Sequence, residues 1–418
     1  MSALVEHMFR QEHGRLMATL VRILGPARWE VAEDIVQDTL LAALTRWSRD
    51  GVPDNPAAWL TQVAKRRAID AIRHQAVQKR HAPELASAWH MRAMSQQLDA
   101  HFEREVVDDQ LHMMFLCCVP TLTPRAQVML MLKTLCGFSV QELAHSLLST
   151  PSSVERALGR ARRRARAYGV PELEGPRELQ ARLSAVRCAI YVLFNEGYHG
   201  AHPEHSTREE LCVEALRLGG LLEEHPDTQD SSTHALLSLM FLHAARLPTR
   251  VGPDGARRTL ERQDRTAWDP ASIALGFEHL RRSAVGDTLS SFHLEAAIAA
   301  HHARAPTFAD TDWGAICALY DQLVLLEDTP ITHLNRAIAQ LYHLGPEGAL
   351  RTLHAVQGLD QYPFLPAARA LCYAHQGDMR AAAQAYDQAR ALARNEEERV
   401  FFAQKVQESR DAMSGSRS

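Results

Sequence analysis

Apolar residues recur at helical spacing along nearly the whole chain, which predicts an all-α protein. In the first part they form an amphipathic helix that ends at Gly25-Pro26, and a second helix begins near Trp29. The pattern breaks over 48–55, a turn-rich segment that we predict to be a loop. A helix over 59–73 follows, so the pattern predicts a first helical domain over residues 1–80.

A polar segment separates this domain from the next amphipathic region. Apolar positions are sparse over 81–107, which is typical of a linker. Helical spacing resumes at Asp108, and it predicts a second helical domain over 108–170.

The second domain contains a series of helix start and stop signals. Thr123 followed by Pro124 marks a helix start, and Gly137 marks the end of that helix. Ser139, with Glu142 three residues later, has the spacing of a capping box. These signals predict a short second helix directly after the first.

The third helix of this domain is predicted to be amphipathic and strongly basic. A tight connection over 149–151 precedes it, and Ser152 or Ser153 is expected to open it. Its apolar face begins with Val154 and Leu158, and its other faces carry Arg156, Arg160, Arg162, Arg163, Arg164 and Arg166. Two helices joined by a short turn, the second one basic, can place a helix in the major groove of DNA. A basic helix that is merely solvated is the alternative.

The rest of the chain is also helical by pattern. After Gly175-Pro176 we predict a helical extension over 177–330, followed by repeats over 331–410. Arg336-Ala337 recurs as Arg369-Ala370, and each copy is followed by an alanine-rich helix. A period of about 34 residues with two helices is the signature of tetratricopeptide repeats. Such repeats stack into a curved surface, for which we expect a protein or small-molecule partner.

Charge is distributed unevenly along the 418 residues, whose formal net charge is -4. Residues 1–168 carry 22 Lys and Arg against 17 Asp and Glu, a net charge of +5. Residues 169–418 carry 24 Lys and Arg against 33 Asp and Glu, a net charge of -9. The two parts therefore suit different partners, and we hypothesise that the acidic extension masks the basic helices in the free protein at low salt.

Cysteine usage and hydropathy suggest a cellular setting. The seven cysteines include no Cys-x-x-Cys pair, and no zinc site of standard spacing is visible. The segment from Met1 to Arg15 lacks the apolar core of a signal peptide, and no apolar run reaches the length of a membrane helix. We expect a soluble, cytoplasmic protein with reduced thiols and no membrane partner.

Four motifs in the second domain point to a known family. They are Gly137-Phe138-Ser139, Glu142-Leu143-Ala144, Ser153-Val154 and Leu158-Gly159-Arg160-Ala161-Arg162. Together they resemble region four of bacterial sigma factors of the extracytoplasmic-function (ECF) type. The resemblance implies that the third helix reads the minus-thirty-five promoter element. The residues implied in this contact are Ser152, Ser153, Glu155, Arg156, Arg160, Arg163 and Arg164.

The first domain contains the segment Ala32-Glu33-Asp34-Ile35-Val36-Gln37-Asp38-Thr39-Leu40. It resembles the stretch of sigma region two that docks on the clamp helices of the largest subunit of RNA polymerase. Because Asp34 and Asp38 are spaced i, i+4, both face one way beside Gln37 and can meet basic groups of a partner helix. The resemblance implies that these three residues bind core polymerase. An ordinary solvated acidic face is the alternative.

The helix predicted over 59–73 also resembles this family. Ala58-Trp59-Leu60 and the Arg-Ala-Ile-Asp-x-x-Arg tail that begins at Arg67 resemble the promoter-reading helix of region two. In that family the preceding loop captures an unstacked base at the minus-ten element, which implies this role for the segment 48–55. The residues implied in the minus-ten contact are Asp50, Asp54, Asn55, Trp59, Lys65, Arg66, Arg67 and Arg73.

The residues implied in the minus-ten contact differ in what they can bind. The lysine and the arginines can pair with phosphates, and such contacts weaken as salt rises. Trp59 is better interpreted as a core anchor than as a stacking platform. The chain also departs from the family: Arg66 stands after Lys65 where many relatives have an asparagine after an arginine, and the loop is somewhat longer than usual.

The two resemblances, in this order and separated by a linker, imply a sigma factor. Such a protein binds core RNA polymerase and promoter DNA, selects the promoter, and is not itself an enzyme. No cofactor is expected. The long remainder resembles the tetratricopeptide-like extension of some sigma factors, which implies a built-in regulator.

Two other classes of protein stay open. A transcriptional activator can also join a helix-turn-helix to tetratricopeptide repeats, although the Gly-x-x-x-x-Gly-Lys-Ser/Thr loop of many such proteins is absent. An enzyme would need an acid-base set such as Glu196, His199, Asp264 and Asp269, but no nucleophile elbow or cofactor loop accompanies it.

Two clusters in the extension invite a chemical interpretation. His199, His202 and His205 recur every third residue, but Gly200 and Pro203 oppose a regular helical metal site. The segment from Glu261 to Asp269 could form an acidic and aromatic pocket, or equally a capped turn in which Arg265 pairs with a carboxylate.

Overall fold

The computed structural model describes residues 3–78, 106–147, 149–168, 176–199, 209–252, 258–394 and 396–415. Within these ranges the chain forms helices joined by turns, so the all-α prediction is confirmed. None of the described helices is long and apolar enough to cross a membrane. The chain divides into two compact units, Met1–Leu193 and Phe194–Ser418.

The described part of unit 1 contains seven α-helices and the first part of an eighth. They are α1 (Ala3–Leu24), α2 (Trp29–Asp50), α3 (Pro56–Gln78), α4 (Val106–Cys117), α5 (Pro124–Leu135), α6 (Val140–Ser146), α7 (Pro151–Tyr168) and α8 (Pro176–His199). Helix α4 begins two residues before the predicted domain boundary at Asp108. Residues 81–105, most of the predicted linker, lie outside the described residues.

Helix α1 is central to unit 1, since it packs against α2, α3, α4 and α5. Its buried face carries Leu16, Met17 and Leu20. Gly14 lies so close to α5 that an added Cβ would be 2.1 Å from the carbonyl oxygen of Leu135. The absence of a side chain at this position therefore sets the distance between the two helices.

Glycines with positive φ end the first two helices. Gly25 (φ 82°) ends α1 and Gly51 (φ 84°) ends α2, because both lie in a region that other residues rarely adopt. The predicted break at 48–55 was therefore partly wrong. Residues 48–50 belong to α2, which Gly51 ends, and the loop is confined to 51–55.

The cysteines are all free thiols. Cys117 and Cys118, at the end of α4, are fully buried, and burial raises the pKa of both thiols. They therefore act as small apolar core residues.

Unit 2 begins with the last part of α8. It continues through α9 (Glu209–Glu224), α10 (Ser231–Ala244), α11 (Leu247–Arg250), α12 (Pro270–Ser283), α13 (Ser291–Arg304), α14 (Trp313–Leu326), α15 (Pro330–Leu344), α16 (Pro346–Ala355), α17 (Phe364–His375), α18 (Met379–Ala391) and α19 (Glu396–Gly415). Helix α10 is buried on nearly every side, because α9, α12 and α13 surround it.

The end of unit 2 consists of helix pairs. Gly345 (φ 91°) turns the chain from α15 into α16, and Gly377 (φ 82°) turns it from α17 into α18. Buried Leu341, Leu353 and Cys372 belong to one apolar cluster that joins three of these helices. The helices are paired as the repeats would require, and the tetratricopeptide assignment stays a prediction.

The two candidate clusters of the extension have different outcomes. His202 and His205, and the side chain of His199, lie outside the described residues. Asp264 and Asp269 cap helical turns, as the capped-turn alternative predicted. The ion pair of Arg265 that this alternative included was wrong: the guanidinium donates to the carbonyl oxygens of His302 and Ala305, which lie 2.7 and 2.8 Å away.

Candidate nucleic-acid interface

Helices α5, α6 and α7 form the predicted helix-turn-helix region. The side chain of Thr123 accepts a hydrogen bond from the backbone of Ala126, with Pro124 at the first helical position. The predicted capping box is present: Ser139 N donates to Glu142 Oε2 at 2.7 Å, and Glu142 N donates to Ser139 Oγ at 3.1 Å. The start signals of the first two helices are therefore confirmed.

The start of α7 differs from the prediction by one or two residues. Pro151, not Ser152 or Ser153, is the first helical residue, and Ser153 N donates to Thr150 Oγ1 at 3.3 Å. Thr150 is thus the cap, because proline is well suited to the first helical position, where its missing N–H is not needed.

One face of α7 is buried and the opposite side carries the charge. Val154, Leu158, Ala161 and Ala165 are buried against the rest of unit 1. Six of the residues implied in the minus-thirty-five contact are exposed, and Ser153 is half-buried: the exposed ones are Ser152, Glu155, Arg156, Arg160, Arg163 and Arg164. The apolar stripe therefore orients the helix with these side chains outward.

A groove runs between α5 and α7 on this basic side. Its volume is about 280 Å³, and its lining includes Arg125, Arg160 and Arg164. Three guanidinium groups around one groove make it attractive to phosphate.

Helix α2 presents the residues implied in polymerase binding. Asp34, Gln37 and Asp38 are exposed, while Ile35, Val36 and Thr39 between them are buried. Asp38 is not isolated, since Arg67 Nη1 on α3 lies 2.7 Å from Asp38 Oδ2. The acidic face of α2 and the basic helix α3 are thus electrostatically linked.

The residues implied in the minus-ten contact lie at the end of α2, in the loop and on α3. Asp50 is the last residue of α2, and a hydrogen bond from Arg49 lowers the pKa of its carboxyl group. Asp54 is exposed in the loop. Asn55 Oδ1 accepts from Ala58 N at 3.0 Å and so caps the start of α3.

Trp59, in the first turn of α3, packs against α2. It is half-buried, and its ring meets that of Trp47 edge-on with centroids 5.4 Å apart. This geometry agrees with its interpretation as a core anchor. Further along α3, Arg66 is exposed, Lys65 and Arg67 are half-buried, and the side chain of Arg73 lies outside the described residues.

Comparison with known families explains this combination of surfaces. Models described as "Sigma-70 region 2" and "Sigma-70, region 4" match residues 8–77 and 112–164. A family of unknown function (DUF6596) matches residues 182–284. An uncharacterized protein of Rhizobium meliloti (strain 1021), R00370, is 33% identical over 379 residues, which cover 89% of this chain and 88% of that protein. The chain belongs to the sigma-70 family.

A further relative is described as a probable sigma factor. The probable ECF RNA polymerase sigma factor SigI of Mycobacterium tuberculosis is 29% identical over 160 residues, which are 38% of this chain and 53% of that protein. No solved structure matches the chain. Region 2 and region 4 of this sigma-70 protein, followed by a helical extension, agree with the predicted order.

Ion pairs that the sequence did not reveal join region 2 to region 4 in this sigma-70 protein. Arg162 Nη2 lies 2.7 Å from Glu33 Oε1, and Arg166 Nη2 lies 2.8 Å from Glu30 Oε1. Two arginines of α7 are therefore engaged with α2, beside the residues implied in polymerase binding. No local motif signals such a contact, because the partners are 129 and 136 residues apart.

Two more long-range pairs strengthen the same contact. Arg10 Nη2 of α1 lies 2.6 Å from Glu142 Oε1 of α6, and Arg22 Nη1 lies 2.8 Å from Asp109 Oδ1 of α4. Burial would raise the pKa of Glu142, but the Arg10 guanidinium and hydrogen bonds from Ser139 lower that pKa to about 2. Glu142 therefore has two functions, since it also completes the capping box of α6.

Proposed function

We propose that this protein is a sigma factor of the ECF type, which binds core RNA polymerase and directs transcription initiation from promoters with minus-thirty-five and minus-ten elements. The observation that carries the proposal is the exposed row of arginines on α7, held outward by a helix-turn-helix whose caps are intact. Similarity to the probable ECF sigma factor SigI supports the subtype.

In this proposal α7 reads the minus-thirty-five element. Ser152, Ser153, Glu155 and Arg156 lie in its first two turns, the part of a recognition helix that reaches base edges. Arg160, Arg163 and Arg164 lie further along and bind phosphates. Phosphate contacts position the helix, and base contacts select the sequence.

The loop 51–55 and helix α3 engage the minus-ten element in the proposed mechanism. Asp50, Asp54 and the backbone of the loop are offered to an unstacked base, while Asn55 holds the loop against the start of α3. Lys65, Arg66 and Arg73 contact the backbone of the DNA.

Polymerase docking and promoter binding are coupled through one ion pair. A basic group of polymerase that binds Asp38 competes with Arg67, which lies 2.7 Å from the same carboxylate. Docking would then release Arg67 to bind a phosphate. Asp34 and Gln37 complete the docking face, and the coupling makes promoter binding stronger on polymerase than in the free protein.

The contact between regions 2 and 4 must open before both elements are read. Elements centred near minus thirty-five and minus ten are separated by about 25 base pairs, or about 85 Å of B-DNA at 3.4 Å per pair. Helix α7 is joined to α2 by ion pairs of 2.7 and 2.8 Å, so the two reading surfaces lie far closer than that. We infer that binding to polymerase and promoter breaks these pairs.

Unit 2 is proposed to act as a built-in regulator in the cytoplasm, with a protein or small-molecule partner at its paired helices. Residues 194–418 carry 21 Lys and Arg against 30 Asp and Glu, and this net charge of -9 suits neither DNA nor an acidic partner.

In vitro transcription tests the proposed function. Core polymerase with this protein, on a pool of genomic fragments, is expected to produce start sites that core alone does not produce, with a shared pair of upstream elements. A parallel reaction uses residues 1–193. Binding to DNA without core-dependent initiation in either reaction would instead support the helix-turn-helix activator.

A further inference from the structure

Three side chains with metal-ligating atoms meet inside unit 2. Glu223 lies in the last turn of α9, His234 in the first turn of α10, and His279 in the second half of α12. Both histidines are buried, and Glu223 is half-buried. They are the one such group in the part of the chain that the structure describes. All three lie within the segment matched by the family of unknown function.

The distances among these atoms are close to those around a tetrahedral ion. The Nδ1 atoms of His234 and His279 are 3.2 Å apart, and each lies 3.9 Å from Glu223 Oε1. Zinc–ligand bonds of about 2.0–2.1 Å place two tetrahedral ligands about 3.3 Å apart. The two imidazoles therefore already have the required spacing, and the carboxylate oxygen needs to approach by about 0.6 Å.

Buried hydrogen bonds to the backbone connect the three helices that hold the ligands. Thr228, in the turn between α9 and α10, donates to the carbonyl oxygen of Leu222 at 2.6 Å, and Thr233 donates to that of Thr228 at 2.8 Å. Ser238 of α10 donates to the carbonyl oxygen of Gly276 of α12 at 2.8 Å. Backbone-anchored contacts thus position the ligands before any ion binds, which reduces the cost of ordering them.

One cation lies beside the three ligands. Arg282 competes for the carboxylate, because its Nη1 lies 2.8 Å from Glu223 Oε1. The same guanidinium also donates from Nε to Glu278 Oε1 at 3.0 Å, so it keeps a partner if Glu223 turns to an ion.

We propose that Glu223, His234 and His279 bind one divalent transition-metal ion, with zinc as the preferred ion. Two nitrogen ligands and one carboxylate oxygen match zinc, and three protein ligands leave a fourth position for water or for an external ligand. A hydrogen bond between two neutral imidazoles is the competing account of the close approach of their Nδ1 atoms. A hydrogen bond between the imidazoles alone would not explain why Glu223 Oε1 lies at the same distance, 3.9 Å, from both nitrogens.

Metal titration of the full-length protein tests the site. The protein is stripped with a chelator and titrated with Co²⁺, whose visible absorption reports tetrahedral coordination, and with Zn²⁺ in competition with a chromophoric chelator. One equivalent is expected to bind with high affinity. His234→Gln, His279→Gln and Glu223→Gln should each weaken binding by at least about 100-fold, the upper end of the effect of outer-shell changes.

Two further variants make the test specific. Arg282→Gln removes the competing cation and is expected to tighten zinc binding by about 10-fold. His354→Gln changes an exposed histidine elsewhere in unit 2 and should leave the affinity unchanged. Circular dichroism of the stripped proteins verifies that each ligand variant is folded.

Either of two results would overturn the proposal. One is that the stripped wild-type protein binds neither ion at micromolar concentration. The other is that high-affinity binding survives in folded His234→Gln and His279→Gln but is lost when His199, His202 and His205 are all changed to glutamine. The second result would assign the ion to that histidine cluster.

Discussion

The helix-turn-helix region has an outward surface and an inward surface, and α7 supplies arginines to both. Arg156, Arg160, Arg163 and Arg164 are exposed, whereas Arg162 and Arg166 are ion-paired with Glu33 and Glu30 of α2. Arg162 and Arg166 are spaced i, i+4 and therefore share one side of the helix. The difference shows that angular position, not residue type, separates arginines that stabilise the fold from those available to DNA.

The largest expected effect is on the inward surface, at Gly14. Gly14→Ala would place a Cβ 2.1 Å from the carbonyl oxygen of Leu135, so α1 and α5 would have to separate. We expect the free energy of unfolding of unit 1 to fall by at least about 3 kcal/mol. Chemical denaturation measures it. Gly159→Ala on α7 is the control, since a Cβ there meets only ordinary contacts. An equal loss of unfolding free energy in the two variants would contradict the steric explanation.

The outward surface should respond in DNA binding rather than in stability. Changing Arg160, Arg163 and Arg164 together to alanine is expected to weaken promoter binding by about 100-fold at low salt, because phosphate contacts are lost. The slope of affinity against salt should also fall by about one unit per lost contact. Replacing exposed Arg351 and Arg380 of unit 2 is the control. An unchanged slope in the triple variant would argue against phosphate contacts by α7.

Single substitutions of neighbouring arginines sharpen the comparison. Arg162→Ala leaves Glu33, whose side chain is 13% exposed, without its ion-pair partner, so unfolding should become easier by about 2 kcal/mol. Arg163→Ala should leave stability within about 0.5 kcal/mol. A double-mutant cycle with Glu33→Gln isolates the pair. Equal stability losses for the two single variants would remove the distinction between the surfaces.

Low pH should destabilise the protein at the inward surface, because Glu142 becomes protonated there. Its pKa is about 2 in the folded protein against 4.5 normally, so its contribution is complete above pH 4.5 and is lost as pH falls toward 2. Because Glu142 is partly exposed and solvent screens its interactions, we expect a loss of about 1–2 kcal/mol. Stability measured against pH should fall less steeply in Glu142→Gln than in wild type. Glu155→Gln, on the outward surface, should follow the wild-type curve.

The smallest stability effect is expected at the exposed pair of Asp38 and Arg67. Asp38→Asn should change the free energy of unfolding by less than about 1 kcal/mol, because exposed ion pairs contribute little. Its affinity for core polymerase should nevertheless fall about 5-fold or more if Asp38 belongs to the docking face. Glu347→Gln, an exposed change in unit 2, is the control for the binding assay. Unchanged polymerase affinity would remove Asp38 from the proposed face.

Much of the helical architecture could be predicted from local signals. Thr123 and the Ser139–Glu142 capping box lie where their spacing predicted helix starts, because a cap acts within one turn of its own helix. The errors were equally local. Pro151 opens α7 in place of Ser152 or Ser153, and Gly51 ends α2 three residues later than the predicted break at Ser48.

The contacts that give the charged residues their roles could not be predicted in this way. One of the two interpretations of the 261–269 segment paired Arg265 with a carboxylate, yet the end of α13 presents carbonyl oxygens to it. The group of Glu223, His234 and His279 has no recognisable spacing in sequence, since its members come from three helices.

The sequence by itself determined the all-α class, the two sigma-70 regions and the basic face of α7, because periodicity, caps and short motifs are encoded by neighbouring residues. Only the tertiary structure decided which arginines of α7 face outward, that Gly14 sets the approach of α1 to α5, and that the Nδ1 atoms of two distant histidines lie 3.2 Å apart. Those outcomes depend on helices packing across long stretches of chain, and the packing of one helix against another is a property of all the side chains at their contact.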